Sequence, residues 1–244
     1  MIGEIKADLS NLTTEELKQQ LLALTKDRDT DPFSTKVQFY KNELEPFFTD
    51  LSLLNPFPNA EDQVPLVIGV WTPIWTTIPF QETLPGRIRE QSYQIFHDNG
   101  YYANIARYAP GSKLSFLQNI SSILLAFDLM VLQKFEVHNG QWYIQNVRIE
   151  QALRMRGIPL SIDKAEDWFD NVVKSKLKES SKNIEFPPSP EFKNLNKTTS
   201  KKFEKIFLAT PQLEHLYIDR DFRLVKSQRE AKQRPSYTIA IRKR

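Results

Sequence analysis

The spacing of apolar residues changes character twice along the chain. In TTEELKQQLLALTK, residues 13–26, Leu17, Leu21, Leu22 and Leu24 recur at helical intervals. Thr13 and Glu16 supply the T-x-x-E signature of a capping box, so a helix is expected to begin there. Residues 31–55, DPFSTKVQFYKNELEPFFTDLSLLN, read as a second helix broken or kinked at Pro46, which lacks a backbone donor. NPFPNAEDQVP, residues 55–65, reads as a proline-rich connector. From Leu66 onward β-branched and aromatic residues dominate. In LVIGVWTPIWTTIPF, residues 66–80, strand alternation places Val67, Trp71 and Trp75 on one face and Ile68, Val70, Ile74 and Ile78 on the other. The four-residue spacing of the two tryptophans also suits a helix, but Pro73 and the threonines make a helix the poorer fit. Pro73 cannot donate to a ladder, so the strand is expected to bend there or to lie beside a break in pairing.

Strand-like runs then follow at short intervals. RIREQSYQIF and YYANIARY flank HDNG, residues 97–100, while LMVLQKFEVH and QWYIQNVRI flank Asn139-Gly140. Both arrangements predict β-hairpins. The alternation lapses after Glu150. KAEDWFDNVVKSKLKES reads as an amphipathic helix, and FPPSPEFKNLNKTTSKK, residues 186–202, as a loose polar segment. QLEHLYID then turns through Asp219-Arg220-Asp221 into FRLVKS, and SYTIAIRK forms a last strand. Eight to ten short, mostly antiparallel strands with helices to one end predict a mainly β fold with α elements, a closed or nearly closed antiparallel barrel. The expected organisation is an N-terminal helical segment over 1–62 and a barrel domain over 63–244, with a helix-plus-loop insertion at about 151–210.

Composition narrows the functional classes. Of 244 residues, 40% are hydrophobic and 26% charged, which supports a packed core rather than disorder. The absence of cysteine excludes disulfides, thiolate metal sites and cysteine nucleophiles. MIGEIKADLSNLTTEEL has neither the basic and apolar regions of a secretory signal nor the character of a transit peptide. The longest apolar run, ISSILLAFDLMVL, is too short for the about 20 residues of a spanning helix and contains Asp128. The expected location is cytoplasmic or peripherally membrane-associated, not secreted. Net charge is +3, but residues 1–62 hold six Lys/Arg against twelve Asp/Glu, and residues 201–244 hold twelve against five. The acidic front and basic tail either meet in the fold or offer a basic face to an anionic surface.

Nothing in the sequence points to catalysis. His97, His138 and His215 have no partner at metal-ligand spacing, and His97 and His138 lie in or beside the expected turns. Seven glycines form no phosphate-binding loop. No enzyme, cofactor or metal is expected. Lys193, Lys197, Lys201, Lys202 and Lys205 cluster, but the aromatics lie among apolar strands rather than among the lysines, so nucleic acid is disfavoured as a partner. The remaining candidate is the barrel interior. Trp75, Tyr93, Tyr102, Tyr108, Phe135 and Trp142 are candidates to line an apolar cavity, and Trp71 is weighed with them; core packing is the stronger expectation for any single ring, and only their number together favours a cavity.

LNPFPN (54–59), a short spacer and GVWTPIWTT (69–77) resemble the opening block of the plastid-lipid-associated protein (PAP)/fibrillin family. LYIDRDFRLVKSQREAKQRPSYTIAIRK is similar to the family's closing block. The resemblance covers about 13–80 and 211–243 and implies a lipocalin-like barrel. It implies binding or sequestration of an apolar molecule (a carotenoid, quinone or other prenyl lipid) at photosynthetic, thylakoid-type membranes, and the basic tail suits attraction to an anionic membrane surface. The alternative is a filled barrel that acts as a scaffold or assembly factor for a photosynthetic protein complex. Gly69 and Trp71 occupy the family's G-x-W positions, and Asp219 and Arg223 its closing positions, which implies that Arg223 packs over Trp71 and closes the barrel base. Trp75 stands where the family usually has Tyr, and Lys226-Ser227 replaces the family's Arg-Gly. The absent transit peptide points to a cyanobacterial-type member or a mature form.

Overall fold

The computed structural model describes residues 9–78, 87–108, 125–180, 191–193, 212–228 and 233–244. The expected helix is α1 (Thr14–Thr25), and its capping box is complete: Glu16 N donates to Thr13 Oγ1 at 3.3 Å, and Thr13 N donates to Glu16 Oε2 at 2.8 Å. The second helical stretch comprises α2 (Phe33–Phe39), a π turn over Tyr40–Leu44 and α3 (Glu45–Leu53). Pro46 lies in the first turn of α3, where a missing N–H is tolerated, and the wider π turn stands just before it. The expected connector is partly helical. Its second half belongs to α4 (Ala60–Val67), which contains Pro65, so extended structure starts at Gly69 rather than Leu66.

The strands are β1 (Gly69–Thr76), β2 (Arg87–Phe96), β3 (Tyr101–Tyr108), β4 (Leu125–His138), β5 (Gln141–Met155), β6 (Glu191–Lys193), β7 (Gln212–Ile218), β8 (Phe222–Gln228) and β9 (Ser236–Arg242). Helix α5 (Ile162–Ser180) lies between β5 and β6. Eight strands form one antiparallel sheet in the order β4-β3-β2-β1-β9-β8-β7-β5, and a further β4–β5 pairing closes it in a ring. Strand β6 adds to β5 in parallel. Both expected hairpins are present; Asn139 and Gly140 adopt φ of 53° and 71°, the left-handed pair that an Asn-Gly turn favours. Of the segment 186–202 only Glu191–Lys193 is described, and the lysines at 197, 201, 202 and 205 lie outside the described residues.

Register sorts the strands into two faces. Tyr102 opposes Gln133, Asn104 opposes Val131, Ala106 opposes Leu129 and Val225 opposes Thr238; all of these residues line the interior of the ring. The opposite faces are covered by helices. Under α5, Phe169, Val172 and Val173 pack with Val70, Ile95, Ala103, Ile105 and Met130. Helices α1–α3 cover the strands on the far side, where Leu17, Leu21, Phe48 and Leu51 pack with Trp75, Tyr217, Leu224 and Ile239.

One irregularity separates the two tryptophans. Pro73 pairs with Ala240 and Trp75 with Ile239, so β1 carries one extra residue at Ile74. A bulge of this kind reverses the alternation. Trp71 therefore faces into the ring with Phe96 and Trp142, whereas Trp75 faces out beneath the N-terminal helices, edge-on to Phe39 at 6.3 Å. The expected shared face is not observed, because Pro73 interrupts the ladder between them.

The charge within the apolar run 120–132 is also accounted for. Asp128 is fully buried and forms a two-pronged pair with Arg107, Nε to Oδ1 at 2.6 Å and Nη2 to Oδ2 at 2.9 Å, with Arg154 at 3.0 Å.

Candidate functional site

Helix α4 closes one end of the ring, and the interior indoles hold it. Trp71 Nε1 donates to Val67 O at 2.7 Å, Trp142 Nε1 donates to Gln63 Oε1 at 2.9 Å, and Gly140 N donates to Glu61 Oε1 at 2.9 Å. Each indole thus buries its ring and satisfies its one donor. Phe96, Tyr102 and Phe135 fill the same end; the Phe96 and Tyr102 rings stack at 4.5 Å. Burial pushes the Tyr102 hydroxyl well above its usual range, against the pull of the Asn104 side chain and of Arg223, so it remains protonated.

Above this floor lies a cavity of about 350 Å³. Tyr108, Leu129, Val131 and Val225 form apolar walls, and Phe33, Ile78 and Arg234 border it towards the ends of β1 and β9 away from the floor. Tyr102 and Tyr108 line the cavity, as the sequence reading expects. Tyr93 borders it too, but its ring belongs to the cluster under α5 and its hydroxyl donates to Leu160 O at 2.8 Å. Phe135 and Trp142 sit lower, in the floor, and Trp75 lies outside the ring, so these three do not line the cavity.

The closing residues meet at the floor. The Arg223 guanidinium carbon stands 4.9 Å from the centroid of Trp71 and 4.7 Å from that of Phe96, and Arg242 stands 4.2 Å from Trp71. The contact between Arg223 and Trp71 is the one the resemblance implies. Gly69, at φ 118°, begins β1 where the chain's end passes closely, and Val70 N donates to Arg244 O at 2.9 Å. Asp219 organises the β7–β8 turn, accepting from Asp221 N, Phe222 N, Tyr217 Oη and Lys18 Nζ at 2.7 to 2.9 Å. Burial raises its pKa, but these four donors outweigh burial and hold the carboxyl below its usual range.

A polar belt crosses the interior without a trace in the hydrophobic periodicity. Four amides cross neighbouring strands at one level of the cavity wall. Gln94 Nε2 donates to Asn104 Oδ1, Asn104 Nδ2 to Gln133 Oε1, and Gln133 Nε2 to Asn146 Oδ1, each at 2.7 Å. Arg223 sets the direction of this chain. A guanidinium only donates, so Gln94 must turn its oxygen to Arg223 Nη2 and its nitrogen to Asn104. The available signal was an amide in an inward slot: Gln94 shares the face of Phe96, and Asn104 that of Tyr102.

His215 is buried beside Arg223, whose Nη1 stands 3.4 Å from its Nε2. Burial, and then the charge of Arg223, hold its pKa well below the usual histidine value. The imidazole is therefore neutral and accepts at Nε2, which leaves the proton on Nδ1. Among the described residues, no group of three or more His, Asp or Glu could hold a metal ion, and no helix is long and apolar enough to cross a membrane. No family model matches the chain, and a search of the curated proteins finds no match either.

Proposed function

We propose that the closed ring is a lipocalin-like barrel that binds one apolar molecule, in a protein of PAP/fibrillin type acting peripherally at photosynthetic membranes without catalysing a reaction. The observation that carries this reading is the cavity of about 350 Å³ inside the ring, within the size range of small-molecule sites. At ~30 Å³ per water-sized group it holds about a dozen such groups. That capacity favours a quinone-sized ring or a single acyl or prenyl chain over a whole carotenoid. Burial of the guest supplies the affinity, at roughly 25 cal/mol per Å² of apolar surface removed from water.

The test is calorimetric titration of the protein with short-chain quinones and acyl chains, together with organic extraction of protein purified without detergent. One molecule bound per chain is expected. Ala106→Trp, which places an indole at an inward position of the cavity wall, should reduce binding at least about tenfold while leaving the unfolding transition in place. Wild-type protein that binds none of these compounds would overturn the reading. Salt-sensitive binding to anionic vesicles, falling sharply when ionic strength is raised, is the expected sign of surface attraction by the basic tail.

The second reading, a scaffold for a photosynthetic protein complex, draws support from the apolar end of β5, where Leu153 is 71% and Met155 57% exposed, with Ile158 just beyond. In that case extraction yields nothing, and a protein complex co-purifies.

A further inference from the structure

The least compensated charge in the interior is Arg223. It is 1% exposed and lines the cavity. Its described partners are all neutral: the Gln94 oxygen, the His215 nitrogen and the faces of Trp71 and Phe96. Its Nε has no hydrogen-bond partner among the described residues, and neither does His215 Nδ1 beside it. Interior charges elsewhere in this protein behave differently. Arg107 meets Asp128, and Lys36 meets Asp29 at 3.0 Å. Burial of an ion without a counter-charge is among the most costly arrangements available to a fold. Burial, with Arg242 adding its repulsion against the favourable Tyr102 oxygen, pulls the Arg223 pKa down to about 9, which still leaves it cationic at neutral pH.

The lining explains where a counter-charge would come from. The described cavity wall contains no Asp or Glu; its charged residues are Arg223 at the floor and Arg234 at the mouth, where the guanidinium stands 5.0 Å from the Phe33 centroid. The amide belt lies at the floor end, and the rest of the wall is mainly apolar, with Leu129, Val131 and Val225, interrupted by the small hydroxyls of Thr76, Ser92, Ser227 and Thr238. A molecule matching this gradient has an anionic head at one end and a hydrocarbon tail.

We propose that the guest is a single-chain carboxylate, held with its head at the floor on Arg223 and the amide belt and its tail towards Phe33 and Ile78. This rests on the cavity-binding reading above and specifies its ligand class. One guanidinium matches one negative charge; Arg242, the second cation at the floor, donates to the carbonyl oxygens of Leu66, Ile68 and Arg220 and does not line the cavity, so a doubly charged phosphate would lack a second partner there.

The test compares three probes of one chain length, dodecanoate, dodecanol and dodecyltrimethylammonium, each below its micelle concentration, by titration calorimetry on the full chain. Dodecanoate should bind at least about tenfold more tightly than dodecanol, as expected for a charge-assisted contact in place of a neutral one, and the cation most weakly. In Arg223→Met the carboxylate and the alcohol should bind within about twofold of each other; in Arg234→Gln the preference should persist. Equal binding of dodecanoate and dodecanol by the wild type overturns the head-group assignment while leaving the apolar cavity standing. Loss of the preference in Arg234→Gln rather than in Arg223→Met overturns the assignment by moving the head to the mouth. Binding of none of the probes defeats the cavity reading itself. If Arg223→Met fails to fold, the wild-type comparison still decides.

Discussion

His215 shares the interior with a guanidinium, so a proton on its ring would place two cations 3.4 Å apart. In the unfolded chain the same ring titrates near its ordinary value of about 6.5. As the pH falls, the unfolded state therefore takes up the proton first. The stability associated with the neutral ring is complete above about pH 6.5 and is lost progressively below it, towards the lower folded pKa. Asp219 acts in a separate window: its carboxyl is held below its usual range, so its contribution is present above about pH 4 and lost under more acid conditions. Urea midpoints measured between about pH 7 and pH 5 should thus fall for the wild type, and His215→Gln should flatten the fall. An identical slope in the variant would assign the effect to other groups.

Strand β1 shows at the scale of one element how a single extra residue redirects the remainder of a strand. The bulge at Ile74 moves Trp75 from the interior to the helical layer, where it is fully buried against α1–α3. Trp75→Ala should therefore cost about 3–5 kcal/mol in chemical unfolding and loosen the N-terminal helices, while the cavity keeps its ligand affinity. Trp71→Ala removes the floor's bond to Val67 O as well, and should lower stability and affinity together. The hairpins and α1 were legible from the sequence because their signals are local: Asn139-Gly140 suits its left-handed turn, and Thr13 with Glu16 caps its own helix. The bulge was not legible, since Pro73 announces an irregularity without saying on which side of it the alternation resumes. Helix α4 was hidden by Pro65 and by the prolines just before it, because its stability comes from indole and hairpin donors far away in sequence. The amide belt was not legible, since each of its members is an isolated polar residue in its own strand and the four meet only when the strands lie side by side.

The whole molecule depends on one seam. Thr72 pairs with Ile241 and Thr76 with Thr238, which joins the first strand of the ring to the last. Val70 N donates to Arg244 O, Lys243 N donates to Val70 O at 2.8 Å, and Arg242 Nη1 donates to Ile68 O at 2.7 Å. Gly69 permits that approach: at φ 118° a side chain is strained, and a Cβ there would collide with the Arg244 backbone oxygen. Gly69→Ala should lower stability by about 1–3 kcal/mol, read as a shift in the urea midpoint at unchanged slope. The eight-stranded circuit was foreseeable from the number and spacing of the strands, but the β1–β9 pairing within it joins residues from opposite ends of the sequence and leaves no local trace. A seam of this kind also orders events in time. While the polypeptide is being made, β1 emerges early and waits with an unsatisfied row of amides until β9 has left the ribosome. Until then there is no enclosed chamber for a guest to enter.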